Sequence, residues 1–209
     1  DLYAGLMLGD FVRKHQMSVE VVDFCISACA NYVFLAGQTK ILNRQALVIF
    51  HGGPKQENFR SLMEQAYAEG VPAGTVFGRE GYEAIIATSD GRQRVNVHQV
   101  NAQLKCDKGE ILNRQGDCEV FSPEQRLQYL IYLENELYSR INPLMNKNIP
   151  YLGQRGDYQS IYQQYRYFGF FYSLDALRKL NVENVVVKGD QWHPFTNPLY
   201  QNVYEVLIP

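Results

Sequence analysis

Ser27 and His51 are the residues of this chain whose types and spacing can do covalent chemistry together. Ser27 sits in the stretch CISACANY, after the β-branched run SVEVVDF and before the apolar run VFLAG. A serine where a strand gives way to a helix is held by a sharp turn. The helix start beside it offers backbone N–H groups and the positive end of the peptide dipoles, which suit a developing oxyanion. Nucleophile elbows have this geometry, although Gly-x-Ser-x-Gly itself is absent. The commonest job of a serine at such a point is to cap the helix. His51 shifts the balance. It ends the next strand, in the stretch LVIFHGG. Successive strands of a parallel sheet end on one edge, where ligands bind. An imidazole there can take the proton of a serine hydroxyl. A lone histidine at a strand end is more often bonded to a nearby carbonyl, so the pairing is what points to nucleophilic catalysis.

The cysteines fall into two local pairs, Cys25/Cys29 and Cys106/Cys118. Neither has the spacing of a zinc site. Two short disulfides in an oxidising compartment fit the pattern; four buried thiols in a cytosolic protein are the alternative. On a helical turn, Cα atoms four residues apart lie about 6 Å from each other, within disulfide range. A Cys25–Cys29 bridge would brace the turn that carries Ser27. A redox Cys-x-x-Cys is absent, and the rival reading makes Cys25 or Cys29 the nucleophile beside His51. His15, His98 and His193 share no metal spacing, and no phosphate-cradling glycine loop is present, so no metal or cofactor is expected.

Around these residues the chain reads as one domain, 1–209, of the α/β class. Helices are expected over 2–15, with Ala4, Leu8, Phe11 and Val12 on one face, and over 27–36 and 56–69. Strands are expected over 19–24 and through ILNRQALVIFH. Gly5 and Gly9, four apart, would let another backbone approach. Residues 71–121 read as a β-rich insertion, with a hairpin about Asp90-Gly91 and a second one clipped by Cys106 and Cys118. Ser122-Pro123-Glu124-Gln125 starts a long helix that ends near Pro143. An aromatic-rich connection follows, then the Ser173-capped helix SLDALRKL and the strand VENVVV. The 209 residues carry a net charge of -2 with both signs interspersed, which gives no basic patch for nucleic acid. No apolar run reaches the roughly 20 residues of a membrane span. The 15 tyrosines and 11 phenylalanines suggest extensive aromatic packing, with a homo-oligomer contact as a further use.

Residues 1–53 resemble the core of the Clp protease proteolytic-subunit family, within the crotonase-like superfamily, and most closely its periplasmic branch. The resemblance rests on Cys25-x-Ser27-x-Cys29, then Ala36-Gly37, then Phe50-His51. The segment FFYSLDALRKLNVENVVV is similar to the family's closing segment. The resemblance implies a spiral of ββα units, Ser27 as nucleophile and His51 as general base. It also implies an oxyanion Gly-Gly pair and a first strand immediately before the opening helix, upstream of residue 1. The family's acid falls in the region IYQQYRYFGFF, which holds no carboxylate. Asp157 is the nearest candidate upstream and Asp175 downstream, and a polar group in place of the acid is the other option. The expectation is a periplasmic or secreted serine hydrolase acting on peptide or other acyl bonds, with a peptide or protein substrate. The rival is a non-catalytic binding or assembly module on the same fold, favoured by the missing acid.

Overall fold

A computed structural model describes residues 2–56, 59, 83–88, 91–96, 110–112, 118–120, 123–164, 167–189 and 191–209. Helix α1, Leu2–Lys14, buries Gly5, Leu6, Gly9 and Val12, a stripe repeating every three or four residues. Of the expected face, Val12 is buried and Ala4 and Leu8 are half-buried, but Phe11 is exposed, because the helix turns its glycine side inward. A Cβ on Gly5 would stand 2.6 Å from Ala28 Cβ, and one on Gly9 2.6 Å from the Tyr32 carbonyl oxygen. The backbone those glycines admit is therefore the helix that follows Ser27.

Each of the first two expected strands is split in two. The first becomes β1 (Val19–Val21) and β2 (Phe24–Ile26); the second becomes β3 (Lys40–Leu42) and β4 (Leu47–Ile49). Strand β1 pairs with β3, and β2 with β4, all in parallel. The chain thus turns a corner twice at the same level, sending its leading halves to one sheet and its trailing halves to another. The corners are tied by Asn197, whose buried amide donates to the carbonyls of Asp23 at 2.8 Å and Gln45 at 3.0 Å. Trp192 Nε1 adds a 2.8 Å bond to the Ala46 carbonyl.

Between β2 and β3 runs a π-helix, Cys29–Phe34, prolonged by Leu35 and Ala36 and stopped at Gly37 as expected. Two antiparallel hairpins follow, β5 (Glu83–Thr88) with β6 (Gly91–Asn96) and β7 (Glu110–Leu112) with β8 (Cys118–Val120). Most of the expected helix 56–69 and Cys106, hence the second cysteine pairing, lie outside the described residues. Helix α2, Pro123–Ile141, begins at the Ser-Pro signal. Three short turns come next, 3-10 turns at Ile149–Gln154 and Gly156–Tyr158 and one α-turn at Gln159–Tyr162. They lead to β9 (Gly169–Phe171). Helix α3, Leu174–Lys179, is capped by Ser173, whose side chain accepts from the Ala176 N–H at 3.3 Å. Strand β10 (Val185–Val187) joins β3 in parallel, and β11 (Val203–Glu205) joins β9 in parallel. Phe50 and Phe170 exchange two 2.8 Å backbone bonds in an antiparallel bridge, which links β4 to β9. The fold is mixed α/β with small parallel sheets.

The aromatic connection packs inward. Phe50, Phe170, Tyr172 and Tyr204 form one cluster of rings. Tyr172 donates to the Ile149 carbonyl at 2.7 Å and Tyr204 to the Gly153 carbonyl. Among the described residues no helix is long and apolar enough to cross a membrane.

Lys40, the first residue of β3, is buried, and its ammonium donates to the carbonyls of Gly37 at 2.8 Å and Glu183 at 3.1 Å. Burial pulls its pKa from 10.5 to about 8, against a smaller opposing effect of Glu183. Between those values the unfolded chain holds a proton that the folded chain has lost, so this group makes stability rise with pH, by up to about 3 kcal/mol over the whole window. Burial raises the pKa of Tyr32 and Tyr138 above the ordinary 10.0, so ionisation of the unfolded chain reverses the trend above that pH. Denaturant midpoints should therefore increase between pH 8 and pH 10, and Lys40→Met should flatten that increase.

Candidate active site

Ser27 follows β2 directly and adopts φ +61, the left-handed region that non-glycine residues seldom occupy. Such a conformation costs on the order of 1–3 kcal/mol and persists only where its surroundings hold it. Here they do. The Ser27 N–H donates to the Ile49 carbonyl at 3.0 Å, and the Ser27 carbonyl accepts from the Asn31 N–H at 2.8 Å. Cys25, buried in β2, and Cys29, the first residue of the π-helix, form a disulfide across the turn with Cα atoms 5.3 Å apart. Both ends of the turn are thus fixed, one by the sheet and the other by the covalent bridge.

The register sets Ile26 opposite Ile49, so Ser27 and Phe50 leave the sheet side by side and His51 follows one residue later. Serine and histidine stand at the same end of neighbouring parallel strands. Burial lowers the pKa of the His51 imidazole below the ordinary 6.5, partly offset by a hydrogen bond to its own main-chain carbonyl. That carbonyl also accepts from Gln154 Nε2 at 2.5 Å and from the Tyr162 hydroxyl at 3.2 Å. Asp157 stands exposed in the first turn of Gly156–Tyr158, while the bonds to the His51 segment come from Gln154 and Tyr162. Asp175 is exposed on α3 and pairs with Arg178 at 2.8 Å.

The segment after His51 is packed from several sides. Gly52 takes φ +99, open to glycine and strained for other residues. A Cβ on Gly53 would lie 2.6 Å from the Tyr151 hydroxyl, 3.2 Å from Glu134 Oε1 and 3.3 Å from the Tyr32 hydroxyl. Those three atoms belong to one buried network. Glu134, on α2, has no exposed surface. Its carboxylate accepts from Tyr32 at 3.0 Å and from Tyr151 at 2.8 and 2.9 Å, and pairs with Lys55 Nζ at 2.8 Å. Burial first, then the charge of Glu134, pushes both tyrosine pKa values up, so the hydroxyls stay protonated and donating. Glu134, Asn31, Gln154 and Tyr162 were not legible as site residues. The sequence signal for Asn31 was a polar side chain in an otherwise apolar helix. For Glu134 there was none, since acids are ordinary on a long helix.

Among the described residues no three metal-ligating side chains stand together. The fold and site define an α/β protein with a disulfide-braced serine turn beside a strand-end histidine, and the disulfide is compatible with an oxidising compartment. No family model, curated protein or solved structure matches the chain.

Removing one partner of a buried ion pair typically costs about 3–5 kcal/mol, because the other is left uncompensated. Glu134→Ala should approach the lower end, since Lys55 is partly exposed and can turn to water. Equilibrium unfolding in urea should show this as a lowered midpoint. A loss under about 1 kcal/mol, the scale of a surface pair, would mean that the network contributes little.

Proposed function

We propose that this chain is a serine hydrolase of the Clp-protease-like type, acting on peptide or other acyl bonds in the periplasm or outside the cell, with its ββα units arranged as in that family. The observation that carries the reading is the left-handed Ser27 turn beside His51, at one end of paired parallel strands. Ser27 Oγ attacks the acyl carbon while His51 takes the hydroxyl proton. His51 then gives that proton to the leaving group as the bond between it and the acyl carbon breaks, which leaves the acyl ester on Ser27. Water, deprotonated by the same imidazole, hydrolyses the acyl-enzyme. Charge building on the acyl oxygen faces the start of the π-helix, whose peptide dipoles favour it.

A general base must be neutral at working pH, and burial of His51 favours the neutral form. An imidazole that donates one N–H to a carbonyl has its other nitrogen free to accept. Gln154 and Tyr162 bond the main-chain carbonyl of His51 and so hold the backbone from which the imidazole projects. Asp157 remains the acid to test by substitution. The lack of a carboxylate on His51 among the described residues favours the second reading, a non-catalytic binding module.

A serine-directed fluorophosphonate separates the two. The hydrolase should be labelled, Ser27→Ala should abolish labelling, and Asp157→Asn should change the rate less than tenfold. No labelling of the parent chain, or undiminished labelling of Ser27→Ala, supports the binding module instead. Labelling should also fall at acid pH as His51 gains its proton. Because burial lowers that pKa, the half-point should lie below pH 6.5. A half-point well above it would exclude the buried His51 as the base.

A further inference from the structure

Asn31 sits one helical turn beyond Ser27 with no exposed surface. Three of its hydrogen bonds run to the serine turn, the histidine segment and the long helix. The Asn31 N–H donates to the Ser27 carbonyl at 2.8 Å. Its side-chain Nδ2 donates to the Gly52 carbonyl at 2.7 Å, on the peptide next to His51. Its own carbonyl accepts from the Tyr138 hydroxyl at 3.1 Å, on α2. A single residue therefore ties the serine turn to the histidine segment and both to the long helix. Asn31 Oδ1, by contrast, is buried without a hydrogen-bond partner among the described residues. An unmet buried acceptor destabilises a fold, and native structures hold few of them. On its helix, Ala30 beside it and Phe34 one turn on are fully buried apolar residues. A leucine would fill such a site without the unmet acceptor. What leucine lacks is the N–H that reaches Gly52.

We propose that Asn31 is a positioning residue, holding His51 at its distance from Ser27 through the Gly52 carbonyl. The role rests on the hydrolase reading for its chemistry, but the coupling of Asn31 to His51 does not. Gly52 is the point where such a tether matters. Its left-handed backbone and the crowding of Gln56 and Gln154 around its Cα leave it no side chain of its own to pack. Released from Asn31, the segment keeps its contacts at Gly53 and loses the one that faces the serine helix. The imidazole then samples positions that Ser27 cannot use.

The test uses the whole chain and two readouts, the rate of fluorophosphonate labelling at Ser27 and the imidazole nitrogen resonances of His51. Asn31→Leu should slow labelling about 10- to 100-fold, the scale of a displacement near 1 Å at a reacting centre. It should also shift the His51 resonances. Leu177→Ala, a core truncation under α3, serves as the control for lost stability and should move neither readout. Asn31→Ser is the second variant, should leucine prevent folding. Unchanged His51 resonances in a folded Asn31 variant overturn the proposal, whatever the labelling rate. If the parent chain takes no label, the hydrolase reading fails alone, and a shift of the His51 resonances in the variant still supports the tether.

Discussion

A carboxylate with no exposed surface governs how the parts of this protein meet. Glu134 brings a charge from α2 into the interior, where it is tolerated only with close, well-directed partners. Those partners come from separate parts of the chain. Tyr32 belongs to the helix behind Ser27, Tyr151 to the 3-10 turn before the aromatic segment, and Lys55 to the loop after His51. Shifting any of them leaves a charge or a hydroxyl unmet in a medium where that is expensive. The network also bears on Gly53, so the loop after His51 is set by the same atoms. Relative placement of the serine helix, the histidine loop and the long helix is thereby one electrostatic problem with one solution.

On that frame the Ser27 turn stores local strain. Its left-handed backbone is held by a sheet bond to Ile49, a helical bond from Asn31 and the Cys25–Cys29 bridge. A simple helix cap needs none of this, because a cap residue ordinarily sits in the extended region. Strain retained at the end of a strand, beside a half-buried imidazole, is the kind of arrangement that active sites keep. Among the described residues no carboxylate is paired with His51, as a triad would require. Gln154 and Tyr162 instead hold the main-chain carbonyl of His51, and so the backbone that carries the ring.

Local chemistry was the legible part of the sequence. The strand-to-helix turn at Ser27, the strand end at His51, the cysteine spacing of 25 and 29 and the cap at Ser173 all follow from residues within a few positions of each other. The corners at 22–23 and 43–46 were not legible, because half-strands of three residues lie so close on either side that they read as one longer strand. What breaks them is Asn197, far along the chain, which bonds both corners at once. The buried face of α1 was misread for a related reason. Glycines carry no hydrophobic signal, yet they mark where the serine helix approaches most closely. Glu134 was invisible because its burial depends on Tyr32, which is 102 residues away. Long-range pairing of this sort leaves no local pattern.

The central claim is that Ser27 is a nucleophile activated by its neighbour His51. The most direct measurement is peptide mapping by mass spectrometry after reaction of the whole chain with a fluorophosphonate. The account predicts one covalent adduct, on the peptide that contains Ser27, lost when His51 is replaced by glutamine. An adduct on a tyrosine or another serine, or an adduct on Ser27 that persists undiminished in His51→Gln, would contradict it.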